Sequence, residues 1–226
     1  PANQIISALL KADPPVLYAS HDPDLPDTEV HLMTSLIKLA DRELVHVINW
    51  AKNIPGYTDL SLNDQVHLLE CCWMELLILG LAWRSMDHEG KRLVFAPDLI
   101  LDREQARVAG MTEIFDQILA ISQQFRQLHL NKEEFVLLKA IVLVNSDVRR
   151  LESYSKIQEL QQNIHDALVD TVAKYHPQNP RRLAQLLLLL PHIRQVSNKG
   201  IEHLYSMKSE GAVPLYDLLT EMLDAQ

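Results

Sequence analysis

The sequence predicts an α-helical, layered fold, and three observations carry that expectation. Only 6 glycines occur in 226 residues, and the long stretches free of Gly and Pro are dominated by Leu, Glu, Gln and Ala, which favour helices. Within those stretches apolar residues recur every three or four positions. The middle of the stretch from Ser61 to Ser85 is apolar nearly all round, the pattern of a helix with neighbours on several sides. At 47% hydrophobic residues, the chain can bury a large core within one domain spanning residues 1–226.

The elements follow in order. Gln4 to Lys11 reads as a short helix stopped by "DPP". Residues 13–27 hold Pro14, Pro15, Pro23, Pro26 and several aspartates, and read as a loop. From Thr28 to Lys52, Val30, Met33, Ile37, Ala40, Leu44, Val47 and Ala51 mark a long amphipathic helix, ended by Asn53 and Pro55-Gly56. Ser61-x-x-Asp64 resembles a capping box and opens the second long helix, to about Ser85. "DHEG" (residues 87–90) makes a turn, and "RLVF" a short strand of a small hairpin. Asp102 can cap a third long helix reaching about Leu128, and Asn131-x-x-Glu134 a fourth reaching Val144. Ser153 or Ser155 begins a fifth, which "HPQNP" breaks after about Lys174. A final amphipathic helix spans Leu215 to Ala225.

Residues 181–208 contain five consecutive leucines followed by Pro191. A proline inside a helix removes a hydrogen bond and clashes with the preceding turn, at roughly 3 kcal/mol or more. Apolar spacing nevertheless resumes at Ile193, Val196, Ile201 and Leu204, which predicts a bent or two-segment helix instead of a stop. The whole adds up to about nine helices and a minimal hairpin, packed in layers.

Composition narrows the function. The formal net charge is -9 and no basic stripe stands out, so this domain is not expected to contact nucleic acid directly. Cys71 and Cys72 are adjacent and mid-helix in an apolar run, which favours buried thiols over a disulfide framework or a nucleophile. No signal-peptide pattern is visible, and the greasiest run, Leu76 to Trp83, is too short to cross a bilayer, so no membrane role is expected. The chain opens at Pro1 without Met, which reads as a piece of a longer protein. HExxH, G-x-S-x-G and P-loop patterns are missing from the sequence. His67 and Glu70 share a helical face, but two residues do not make a metal site. The expectation is a binding protein with no catalytic residues, metal or cofactor.

Three titratable residues fall on apolar faces. Glu43 lies on the face of Leu36, Leu39 and Val47, Arg84 ends the apolar helix, and His203 follows Pro191. Each alone reads as an ordinary face-edge or helix-terminal group. Together they suggest a Glu43–Arg84 pair in a greasy cavity, able to take a ligand hydroxyl, with His203 holding a second polar group at the far end. In the last helix, Leu215, Leu218, Leu219, Met222 and Leu223 form one stripe. It reads either as a docked terminal helix or as a movable lid that helps grip a partner helix.

Five blocks carry a family resemblance: "LADRELVHVINWAKNIPGY", "LSLNDQVHLLECCWMELLILGLAWRSMDHEGK", "FAPDLILDR", "EIFDQILA" and "SNKGIEHLYSMK…VPLYDLLTEMLDA". In one colinear order over almost the whole chain, they resemble the ligand-binding domain of estrogen receptors, members of the nuclear receptor family. The resemblance implies a three-layer antiparallel helical sandwich with a small β-hairpin, in a nuclear transcription factor. It implies a steroid pocket with Glu43, Arg84 and His203 as hydroxyl anchors. Met33, Leu36, Ile37, Ala40, Leu77, Leu81, Phe95, Met111, Ile114, Gly200 and Leu204 would line it. It implies capture of leucine-rich coactivator helices by Ile48, Lys52, Val66, Glu70, Leu218, Glu221 and Met222, and a homodimer through the 181–208 helix. Lys52 at one end and Glu221 at the other would bracket the dipole of a docked helix.

The departures point to a divergent member, with an invertebrate source as the expectation. Ile37 stands where the vertebrate pattern has threonine, Ile78 where it has methionine, and Ile118 replaces a leucine. "GKRLVFAP" is one residue longer and "KYHPQNPRR" shorter than the familiar form, and Pro191 replaces a polar residue. A stiffer side chain at Ile37 changes the cavity's shape. Two readings stay open: a hormone-gated switch, and a constitutively active scaffold with a filled pocket. An enzyme acting on small lipids is remote.

Overall fold

The computed structural model describes residues 2–88, 91–145 and 151–226. Helix α1 (Ala2–Lys11) leads into the proline-rich loop, and α2 (Glu29–Lys52) begins where the Thr28 hydroxyl accepts from the His31 N–H. A 3-10 turn, Tyr57–Asp59, links it to α3 (Leu62–Ser85). Strands β1 (Leu93–Ala96) and β2 (Leu99–Leu101) pair antiparallel. They are followed by α4 (Arg103–Val108), α5 (Thr112–Gln127), α6 (Lys132–Val144) and α7 (Tyr154–Tyr175). Then come α8 (Arg182–Leu187), α9 (Leu189–Glu210) and α10 (Asp217–Asp224).

The layers are built around α3. It packs against α2, α5, α6 and α9. Helix α1 lies on α6 and α7, which pack closely together, while α10 closes over α2 and α9. The expected helical sandwich with its small hairpin is what these packings make. By length and composition α3 could cross a membrane, but more than half of its most apolar window is buried within the fold. It is the core helix that its all-round apolar pattern predicts, with Leu68, Trp73, Leu76, Leu79 and Ala82 sealed from solvent.

Local signals fix most ends. Asn131 and Glu134 form a reciprocal capping box on α6, and Asp102 and Gln105 another on α4. At α3 only half the expected box forms: Ser61 accepts from the Asp64 N–H, but the Asp64 carboxylate turns to accept from the N–H groups of Glu152 and Ser153. It is spent on anchoring a distant segment.

One expectation needs correction. The single helix from Asp102 to Leu128 is two helices, because Gly110 takes φ +74° between them and Met111 starts a new turn. This split gives ten helices among the described residues, where about nine are expected from sequence. The leucine-rich stretch forms the expected two-segment helix, with its break at Leu188, ahead of Pro191. Pro191 thereby sits in the first turn of α9, where its missing N–H costs nothing. The turn expected at "DHEG" includes residues 89–90, which lie outside the described residues.

A buried ion pair ties α6 to α8. Arg182 donates through Nε and Nη2 to the two carboxylate oxygens of Glu134, at 3.0 and 2.7 Å, and also to the Leu128 carbonyl. Glu134 is fully buried and Arg182 only 3% exposed.

Candidate functional site: an apolar cavity beneath the last helix

Helices α2, α3, α5 and α9 and strand β1 enclose a cavity of about 130 Å³. Every residue that the resemblance assigns to the pocket lines it: Met33, Leu36, Ile37, Ala40 and Glu43 from α2, Leu77, Leu81 and Arg84 from α3, Phe95 from β1, Met111 and Ile114 at the start of α5, and Gly200, His203 and Leu204 from α9. The reason is periodicity. Residues 33, 36, 37, 40 and 43 fall on one face of α2, and 77, 81 and 84 on one face of α3.

Six further residues complete the wall: Leu39, Trp73, Met74, Ile78, Ile118 and Leu219. Ile78 and Ile118 are visible in the sequence only as departures from a pattern. Leu219 belongs to the apolar stripe of α10, and its period could have marked it as inward-facing.

The polar groups are few. Arg84 Nη2 lies 3.4 Å from Glu43 Oε1, a loose pair, and Arg84 Nε donates to the Val94 carbonyl at 3.1 Å. That bond fixes the guanidinium to the hairpin. The hairpin is itself held to the end of α3 by Ser85, whose hydroxyl donates to the Leu81 carbonyl and accepts from the Val94 N–H, both at 2.8 Å. Burial raises the Glu43 pKa above the usual carboxylate range, although Arg84 and Arg42 pull it down. Among the described residues His203 Nε2 is buried without a hydrogen-bond partner, and desolvation lowers its pKa, holding the ring toward its neutral form. A cavity whose carboxylate is weakly paired and whose imidazole nitrogen is unpaired offers two hydrogen-bonding ends on an apolar box.

Helix α10 packs on α2 and α9 and contributes Leu219 to the cavity wall. Tyr205 Oη donates to the Leu223 carbonyl at 2.7 Å, and Lys208 Nζ lies 2.5 Å from an Asp224 oxygen. At its start, the Leu219 N–H donates to Asp41 Oδ1 of α2 at 3.0 Å. Asp41 thus caps α10 from another helix, satisfying one of the N–H groups that a helix start leaves open. Tyr216, the residue in the capping position itself, supplies no side-chain bond.

Residues 21–210 match the family described as the ligand-binding domain of nuclear hormone receptor. The chain belongs to that family. Over an alignment 236 positions long it is 55% identical to the estrogen receptor of Taeniopygia guttata and to that of Rattus norvegicus, each alignment covering 99% of this chain. The estrogen receptor of Anolis carolinensis is 54% identical, with 99% of this chain and 67% of that protein aligned. The chain spans about 40% of the length of the Taeniopygia and Rattus proteins. This is an estrogen-receptor-like ligand-binding domain, and membership of a receptor family makes it a binding domain and not an enzyme.

In this nuclear receptor domain the residues expected to dock a partner helix lie on three neighbouring helices. Ile48 and Lys52 are on α2, Val66 and Glu70 on α3, and Leu218, Glu221 and Met222 on α10. Lys52, Val66 and Glu221 are exposed, Ile48, Glu70 and Leu218 half-buried, and Met222 buried beneath them. Gln226 Nε2 donates to the Glu70 carbonyl at 2.6 Å, joining the end of α10 to α3. Cys72 is buried and desolvation pushes its thiol pKa well up, which suits a core thiol.

Proposed function

We propose that this domain is a hormone-gated docking module of a nuclear transcription factor. A steroid of the estrogen class fills the cavity, α10 closes over it, and the surface of α2, α3 and α10 grips a leucine-rich coactivator helix. The observation that carries this reading is the position of Leu219: its side chain lines the cavity while its N–H holds α10 to Asp41. A ligand that packs on Leu219 gains affinity for the closed lid over the open one, which is the condition for gating.

The ligand's chemistry follows from the anchors. One hydroxyl donates to Glu43 and accepts from Arg84, and a second polar group meets His203 Nε2. The remaining contacts are apolar. Names of the relatives supply the hormone class, which we carry over to this chain. Lys52 meets the carbonyl end of the captured helix and Glu221 its amide end. The stretch around α8 and α9 forms a homodimer face, with Leu188 73% exposed and Leu183, Leu187 and Leu190 part-exposed beside it. DNA contact lies outside this acidic domain.

The volume favours a second reading. About 130 Å³ is below the roughly 300 Å³ at which small-molecule pockets begin. Ile37, Ile78 and Ile118 are stiff and fill space, so a constitutive, hormone-indifferent scaffold is the alternative. Entry of a steroid requires Met33, Met74 and Met111 to reorient, which unbranched thioethers do readily. Titrating the domain with labelled estradiol separates the readings. Saturable binding that Glu43→Ala weakens at least tenfold supports the hormone site, and no saturable binding to the folded protein refutes it.

A further inference from the structure

A second chamber, of about 210 Å³, lies behind the first. The two share four wall residues: Glu43, Leu77, Arg84 and Phe95. Neither chamber alone reaches the roughly 300 Å³ of a ligand pocket, but together they pass it. The shared wall includes the loose Glu43–Arg84 pair. Gly80, one turn before Arg84, makes room for it, since a Cβ there would stand 3.2 Å from Arg84 Nη1.

The second chamber differs in character. Its walls carry three cations, Arg84, Lys132 and Lys139, with His46, against the carboxylates of Glu43 and Asp13. Asp13 serves both lysines: it lies 2.5 Å from Lys132 Nζ and 3.6 Å from Lys139 Nζ. Glu43 is already engaged by Arg84. Among the described residues, one positive charge of this chamber therefore has no carboxylate of its own. Lys139 is only 7% exposed, and its ammonium sits 4.6 Å from the Trp50 ring centroid. Lys132 lies 5.5 Å from the centroid of Trp83, which stacks on Phe135. Ring faces attract the cations but supply no acceptor, and an ammonium has three N–H donors.

We infer that this second chamber receives an oxyanion, a carboxylate or sulfate ester, borne on one end of the apolar ligand whose body fills the first chamber. The inference rests on the hormone-site reading above. The ligand's end passes the Glu43–Arg84 partition and takes its place between Arg84, Lys132 and Lys139. In support, burial together with the neighbouring Lys132 and Arg84 charges lowers the Lys139 pKa to about 8, although Asp13 raises it. An added anion relieves that repulsion.

Competition binding against labelled estradiol tests this, with estradiol sulfated at its 3-position or at its 17-position as probes. The expected result is that one of the two esters binds at least as tightly as estradiol. Lys139→Met should then lower the ratio of that ester's affinity to estradiol's by at least tenfold, the scale of a charge-assisted hydrogen bond. Lys132→Gln, on a more exposed side chain, should lower the same ratio and guards against a misfolded Lys139 variant. Estradiol bound with both esters rejected, or an ester whose affinity ratio neither variant moves, overturns the second chamber while leaving the hormone site standing. Failure of estradiol itself to bind refutes the hormone site instead, and with it this extension.

Discussion

Replacing Asp41 with alanine should loosen α10 and weaken capture of a partner helix. The Asp41 carboxylate accepts from the Leu219 N–H at 3.0 Å, and Leu219 is the third residue of α10. Losing a cap costs about 1 kcal/mol. Losing a negative charge beside a helix start adds about 0.3–1 kcal/mol. The closed lid should therefore lose roughly 1–2 kcal/mol, a factor of about 5–30 in its population against the open form. With only 8 residues, α10 has little helical stability of its own and depends on such contacts. Hydrogen exchange at the Leu219 amide reads the loss directly, and fluorescence anisotropy with a labelled leucine-rich peptide reads its consequence. Asp41→Asn keeps an acceptor without the charge and should fall between alanine and the parent. An Asp41→Ala protein with parental exchange at Leu219 and parental peptide affinity would refute the remote cap.

Three further outcomes are expected. Glu221→Lys should weaken peptide binding by about tenfold or more, since it places a cation at the amide end of the docked helix; unchanged anisotropy would remove Glu221 from the docking surface. Arg182→Ala leaves Glu134 buried without its partner and should cost roughly 3–5 kcal/mol in urea unfolding; a loss under 1 kcal/mol would show that the pair is dispensable. Burial raises the Glu75 pKa from 4.5 to about 7, despite Arg194 at 4.0 Å. The folded state then holds a proton that the unfolded state has released, so stability should fall as pH rises from about 4.5 to 7, by on the order of 3 kcal/mol. Glu75→Gln should flatten that slope and be the more stable protein at pH 8; parallel pH profiles would contradict the assignment.

The lining residues came from the family resemblance, and helical spacing explains why the fold brings them together. Once α2 and α3 are drawn from their periodicity, residues 33, 36, 37, 40 and 43 must share a face, as must 77, 81 and 84. Capping at Asn131 was legible because donor and acceptor lie three residues apart. The features that escaped are those where one side chain serves a distant segment. Asp64 looks like a local cap but holds Glu152 and Ser153. Asp41 caps a helix almost the whole chain away. Lys139 is one cation in an apolar helix until the fold brings Asp13 and Trp50 beside it. The split at Gly110 did leave a signal, a glycine at a helix end, which the flanking apolar periodicity masked. Cavity volume has no sequence signature at this grain, because it depends on how Ile37, Ile78 and Ile118 pack together.

The most direct test of hormone gating is the affinity of the purified domain for a leucine-rich coactivator peptide, measured with and without saturating estradiol. The account predicts tighter peptide binding when hormone is present, and loss of that gain in Glu43→Ala. Strong peptide binding that hormone leaves unchanged would contradict it.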